Sequence, residues 1–307
     1  MNLSKLLQGL FRDPPALFAI EVGRSFVAGV RRDPKTFEAV ARAYCTLDSN
    51  VVEPSSRKPN VNQPEILAQA IHKIWTELGP ARSPDAALIL PDTSSRLTVL
   101  DFDYLPNDEK QRLQLIRLRL KKAVPFDVQN ARIAYQAWKI DSGFAVLVAT
   151  TPAEIIEQYE QALKSTGLQP GYVSLSAVVA LNLLPDSEMN LFAKLSEDCL
   201  TMIACDVQAV RMVRSVELTP NARKNIVDSP DLLFDEITED LYPTLVFIAD
   251  NFQRPVKKLI LGGFDSLIER ALNRFPSEFN CEVEPLKDII GVVGERDVGI
   301  QGVLNQN

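Results

Sequence analysis

The chain has 307 residues, 46% hydrophobic and 24% charged, with a net charge of −7 and a pI near 5. That length accommodates two ordinary domains, each with its own core. The acidic balance offers no basic face for nucleic-acid phosphates, so no nucleic-acid partner is expected. Four cysteines (Cys45, Cys199, Cys205, Cys281) stand far apart without CxxC spacing, and His72 is the single histidine. This excludes a zinc framework and fits reduced thiols. A histidine-based triad would need His72 as its base, but His72 sits in "ILAQAIHKIWTELG", an amphipathic helix where a surface or packing role is expected.

In chain order, "MNLSKLLQGLFRDPP" spaces Leu3, Leu6, Leu7, Leu10 and Phe11 as a short amphipathic helix that stops at Pro14-Pro15. It lacks a signal-peptide cleavage site, and no run in the chain reaches the ~20 apolar residues of a membrane span. "LFAIEVGRSFVAGVRR" is two β-like runs around the turn Gly23-Arg24-Ser25, and "FEAVARAYCTL" adds a third strand. Residues 48–64 are polar and proline-bearing, which predicts a surface loop. A helix over 65–78 follows, with Ile66, Leu67, Ala70, Ile71, Ile74 and Trp75 on one face.

"AALILP" reads as a buried strand and "RLTVLDFDYLP" as an alternating one. Asn107-Asp108 caps a helix running to about Ala123, and "IAYQAWKI" and "FAVLVATT" pair around Asp141-Ser142-Gly143. The segment 86–150 is therefore a compact insert. "TPAEIIEQYEQALKSTG" is a helix with a proline start and a Gly167 stop. From Asn190 a meander ("LFAKL", "CLTMIACD", "AVRMVRSVEL") precedes a helix over 230–252, the strand "KKLILGG", a helix "SLIERALNRF" and the strand "CEVEPL". The meander–helix–strand–helix order occurs in both halves, which points to a duplication.

Four stretches carry a family resemblance: "AIEVGRSFVAGV"; "AALILPDTSSRLTVLDFDYLP" with "KKAVPFDVQNARIAYQAW" and "FAVLVAT"; "YEQALKSTGLQPGYVSLSAVVALNLL"; and "IADNFQRPVKKLILGG". In order and spacing, nearly end to end, the chain resembles the PilM family of type IV pilus assembly, whose fold is that of actin, FtsA and the sugar kinases. The resemblance implies an α/β, ribonuclease H-like duplicated, two-domain fold with an inserted strand-helix-strand-strand subdomain. Its divisions would be 1–85 and 151–189 for the first domain, 86–150 for the insert and 190–307 for the second domain.

In that superfamily two hairpin turns present backbone N–H groups to phosphates, with an acidic residue at each turn holding Mg²⁺. The resemblance places Glu21, Gly23, Arg24 and Ser25 at the first turn and Gly262-Gly263 at the adenosine side. At the second turn it sets Ala193 where the family has aspartate and Leu195 where it has glycine, with Glu197-Asp198 adding negative charge. It therefore implies a scaffold with an eroded nucleotide site: no catalytic residue, no cofactor and no metal. The alternatives are an ATP-binding or ATP-hydrolysing protein, or the related component of a type II secretion system.

The implied partner is the N-terminal cytoplasmic tail of an inner-membrane PilN-like protein, alongside other pilus or secretion components. The chain itself would be cytoplasmic and reach the membrane through that partner. The implied groove residues are Leu97, Val99, Arg117, Leu120, Lys121 and Phe126. For Leu113, Ile116 and Leu120, packing on the insert's own sheet is the favoured reading.

Overall fold

The computed structural model describes residues 16–185, 188–220, 230–288 and 291–306. The amphipathic segment at the start falls outside them. Two five-stranded sheets of identical topology form the body. In the first, β1 (Phe18–Val22), β2 (Phe26–Arg32) and β3 (Ala39–Thr46) make an antiparallel meander, and β4 (Asp85–Leu90) and β8 (Gln169–Leu175) add in parallel, in the order β3-β2-β1-β4-β8. In the second, β9 (Asn190–Leu195), β10 (Cys199–Cys205) and β11 (Val210–Glu217) form the meander, and β12 (Lys258–Gly262) and β13 (Glu282–Pro285) are the parallel pair, in the order β11-β10-β9-β12-β13. The duplication expected from element order is thus strand-for-strand.

The central strands are buried on both faces because helices or the other domain cover both. Helix α1 (Pro64–Leu78) starts with proline at its first turn and buries Leu67, Ala70, Ile71, Ile74 and Leu78. Ile66, expected on that face, is 40% exposed, and His72 lies on the outer surface edge-on to Trp75. Residues 48–64 are more than a surface loop. Val51, Val52, Asn60 and Val61 are buried, and Asn60 accepts a hydrogen bond from the buried Tyr159 hydroxyl, 3.1 Å away.

The insert is a three-stranded antiparallel sheet, β5 (Arg96–Phe102), β6 (Ala131–Ile140) and β7 (Gly143–Pro152), in the order β5-β7-β6. Helix α2 (Glu109–Leu120) covers one face and is capped by Asp108, whose carboxylate accepts from Gln111 N at 2.9 Å. Strand-helix-strand-strand is the expected order, but the boundary at 86 is corrected. β4 sits between β1 and β8 in the first sheet, so the insert begins only after it.

Helix α3 (Ala153–Lys164) leads back to β8, and the short α4 (Ser176–Ala180) follows it. Helices α5 (Pro230–Phe252) and α6 (Ile268–Phe279) cover the second sheet, their Phe234, Ile237, Leu241 and Phe275 meeting Leu191, Ala193 and Leu195 of β9. The last helix, α7 (Val298–Leu304), does not stay with the second domain. Its Ile300 and Val303 pack with Ala19, Ala28, Val30 and Val179 of the first, which corrects the expected 190–307 division. One apolar core continues from β1 and α1 through the insert's Leu97 and Trp138 to Phe192, Ile203 and Ile260 of the second sheet.

Candidate functional site

The hairpins β1–β2 and β9–β10 face each other across the interdomain cleft. Their turns close alike: Gly23 N donates to Phe26 O at 2.8 Å, and Ser196 N to Cys199 O at 2.9 Å. This equivalence sets Ser196 opposite Gly23 and Lys194 opposite Glu21. The expected register of the second turn is therefore off by one residue. Ala193 and Leu195 point into the core under α5 and α6, and Lys194, on the other strand face between them, enters the cleft.

Lys194 is buried, with Nζ 2.8 Å from Asp92 Oδ2 and 2.8 Å from Ser196 Oγ. Asp92 lies just past β4, and its Oδ1 accepts from Ala177 N of α4 at 2.7 Å. Glu21 is also buried. Its carboxylate accepts from Ser176 Oγ at 2.6 Å and from Ile300 N, in the first turn of α7, at 3.0 Å. Both carboxylates thus satisfy backbone N–H groups at helix starts. Gly299 is needed beside them, because a Cβ there would stand 2.7 Å from the Glu21 carboxylate.

Burial pushes the Glu21 carboxyl up to about 7, held back by Lys194 and by the Ser176 and Ile300 hydrogen bonds. Burial alone would lower the Lys194 ammonium, but Asp92 and Glu21 more than offset it and hold it above its ordinary range. At the tips Ser25 Oγ donates to Glu197, and Arg24 stands 3.8 Å from Asp198. Burial and then Asp198 raise the Glu197 carboxyl. Among the described residues no His, Cys, Asp and Glu cluster has metal-binding form.

The space left between the turns is about 30 Å³, room for about two waters. Gly23 is held bare by the Phe26 ring, 2.2 Å from where its Cβ would be. At the expected adenosine end, a Gly262 Cβ would meet the Phe192 ring at 2.9 Å, and Gly263 adopts φ +74°. Phe264 turns into the second core, edge-on to Phe275.

A second concavity, of about 180 Å³, runs between the insert and the first domain. Arg132 to Gln136 of β6 line one wall and Tyr172 to Leu175 of β8 the other, with Leu97, Leu147, Ile156 and Val178 on the floor. Consecutive rather than alternate residues line it because β6 and β8 are both the outer strands of their sheets, and the groove follows their edges.

Of the expected groove residues only Leu97 lies here. Leu120 is buried with Ile116 in the insert's own core, and Val99 packs towards the shared core. Arg117 donates to Val128 O and borders a separate, shallower depression. Lys121 is exposed and Phe126 half-buried, and neither lines either depression.

No protein-family model matches this chain, and no curated protein matches it. Solved structures do. A chain of a PilM–PilN type IV pilus biogenesis complex superposes with a TM-score of 0.78 over 96% of this chain and 100% of that one, at 16% identity. The fold is PilM-like. A protein of actin-like ATPase fold and unknown function from Bacteroides thetaiotaomicron follows at TM-score 0.57, covering 94% of each chain at 10% identity. The ethanolamine utilization protein EutJ from Carboxydothermus hydrogenoformans superposes at 0.56 over 96% of this chain and 91% of its own, at 11% identity. The expected actin-like duplicated α/β architecture is therefore present.

Sequence reasoning missed Lys194, Asp92, Ser176 and Gly299 in this PilM-like cleft. One signal was available: Lys194 is the lone charge in the otherwise apolar "LFAKL", and a charge inside a buried strand needs a partner.

Proposed function

We propose that this chain is a non-catalytic scaffold of a type IV pilus assembly complex, which binds the N-terminal cytoplasmic segment of a PilN-like inner-membrane protein. The observation that carries the reading is the apolar groove between two open strand edges, β6 and β8. Unpaired backbone groups along such edges suit an extended peptide, and the apolar floor suits a few large side chains.

The cleft supports the non-catalytic half of the reading. Lys194 takes the place where a metal-holding carboxylate would be needed, and the oxygens of Glu21 and Asp92 are engaged by two helix N–H groups, the Ser176 hydroxyl and Lys194 itself. No magnesium, ATP or other cofactor is part of the proposal. Membrane attachment is assigned to the partner: among the described residues no helix is long and apolar enough to cross a membrane. The likeness to a PilM chain solved with PilN is what favours a pilus role over a secretion role.

The test is calorimetric titration of a synthetic peptide copying the first twenty or so residues of the PilN-like protein encoded with this chain. An affinity on the order of micromolar is expected, since the peptide loses ordering entropy on docking. Ala134→Trp, at an exposed wall position, should abolish binding with the fold unchanged by circular dichroism. Mg-ATP should leave the melting temperature unmoved, where a nucleotide at 100 times its Kd would add about 2.7 kcal/mol. Peptide binding unaffected by Ala134→Trp, or magnesium-dependent ATP turnover, would overturn the reading.

A further inference from the structure

The groove does not end on apolar surface. At the start of β6, Arg132 and Ile133 line both the groove and the separate, shallower depression, so the two adjoin there. That depression, about 370 Å³, is bordered by Arg117, Gln129, Asn130, Ala131 and Ala153 as well, without a carboxylate among them. The nearby Asp127 carboxylate is already engaged by Gln129 N at 2.9 Å and Asn130 Nδ2 at 3.0 Å. Arg132 is exposed, and among the described residues neither Arg132 nor Arg117 takes part in an ion pair. Arg117 commits one Nη1 bond to Val128 O, which holds its guanidinium in place and leaves its other N–H donors available.

Two guanidinium groups at one end of an apolar channel, in a chain of net charge −7, are an asymmetric feature that apolar packing alone does not require. Guanidinium forks match carboxylates in geometry, and of the two Arg117 is half-buried and Arg132 exposed. We propose that this end is a carboxylate subsite. The peptide that fills the groove carries an Asp or Glu side chain immediately beyond its apolar stretch, on the side that emerges at Arg132 and Arg117. The charge fixes which way the extended peptide lies. The inference rests on the peptide-binding reading above, and it adds the sequence requirement and the direction.

The experiment uses the full chain and the same synthetic peptide, in versions bearing Glu or Gln at the position flanking each end of the apolar stretch. Glu on one flank should bind roughly five- to tenfold more tightly than Gln, with no difference on the other flank. The preference should vanish in Arg132→Ala/Arg117→Ala and fade in 0.5 M salt. Arg132→Glu should instead prefer a peptide with Lys on that flank, a rescue that a merely structural arginine would not produce.

If peptides bind, remain sensitive to Ala134→Trp and yet show no flank preference, the subsite is overturned and the groove stands. If no version binds, both readings fall together. Competition of phosphatidylglycerol vesicles with the Glu-bearing peptide, but not with the Gln-bearing one, would reassign the arginines to a lipid surface and overturn the proposal.

Discussion

The two hairpins across the cleft share one backbone plan and differ in charge at nearly every matching position. The first carries Glu21, Gly23, Arg24 and Ser25, and the second Lys194, Ser196, Glu197 and Asp198. Base faces acid at each level, with Lys194 between Asp92 and Glu21 at the bottom and Arg24 beside Asp198 at the rim. A cleft with two acidic turns would repel itself and need a cation between its walls. Here a lysine from one domain supplies that cation permanently. The comparison also explains why the pairs are unequal: depth in the cleft decides how much solvent competes with each.

The largest expected effect lies at the bottom. Lys194→Met removes the ammonium and leaves Asp92 buried without its counter-charge. A loss on the order of 3–5 kcal/mol of unfolding free energy is expected, as for other broken buried pairs. Urea denaturation measures it. A loss below 1 kcal/mol would mean that the two turns are held by something other than this pair.

Glu21 gives the next effect through pH. Its carboxyl is raised from 4.5 to about 7 in the folded chain. The fold therefore prefers the protonated form, and the stability this contributes is present below about 4.5 and is lost as pH rises through about 7. At full ionisation the loss approaches roughly 3 kcal/mol, at about 1.4 kcal/mol per tenfold change in proton affinity. Denaturation curves from pH 4.5 to 8.5 should decline for the wild type relative to Glu21→Gln. Parallel curves would place the titration elsewhere.

The rim should matter least. Arg24 and Asp198 stand 3.8 Å apart, with the arginine side chain 25% exposed. Arg24→Ala should cost less than about 1 kcal/mol, and that cost should shrink further in 0.5 M salt. A cost matching that of Lys194→Met would erase the distinction between bottom and rim.

Much of the architecture was legible in local chemistry. Period-two alternation and Gly, Asp and Ser turns marked the strands and hairpins, and Asp108 and Pro152 marked helix starts. Repetition of the same element order predicted the matching sheets. The site was less legible because adjacent strand residues face opposite ways, so a one-residue error in register exchanges core for cleft. Ala193 and Leu195 were expected at the turn, while Lys194 between them is the residue that reaches Asp92.

What could be read from the sequence is the set of elements and their order, because these depend on contacts a few residues long. The tertiary structure decided three further things. It put β4 in the body rather than in the insert, and it returned α7 to the first domain so that Ile300 N–H could meet Glu21. It also set the edges of β6 and β8 side by side to make the groove. Each joins residues far apart in the chain, and such pairings are chosen by which surfaces can be buried together and which buried charges must find a partner.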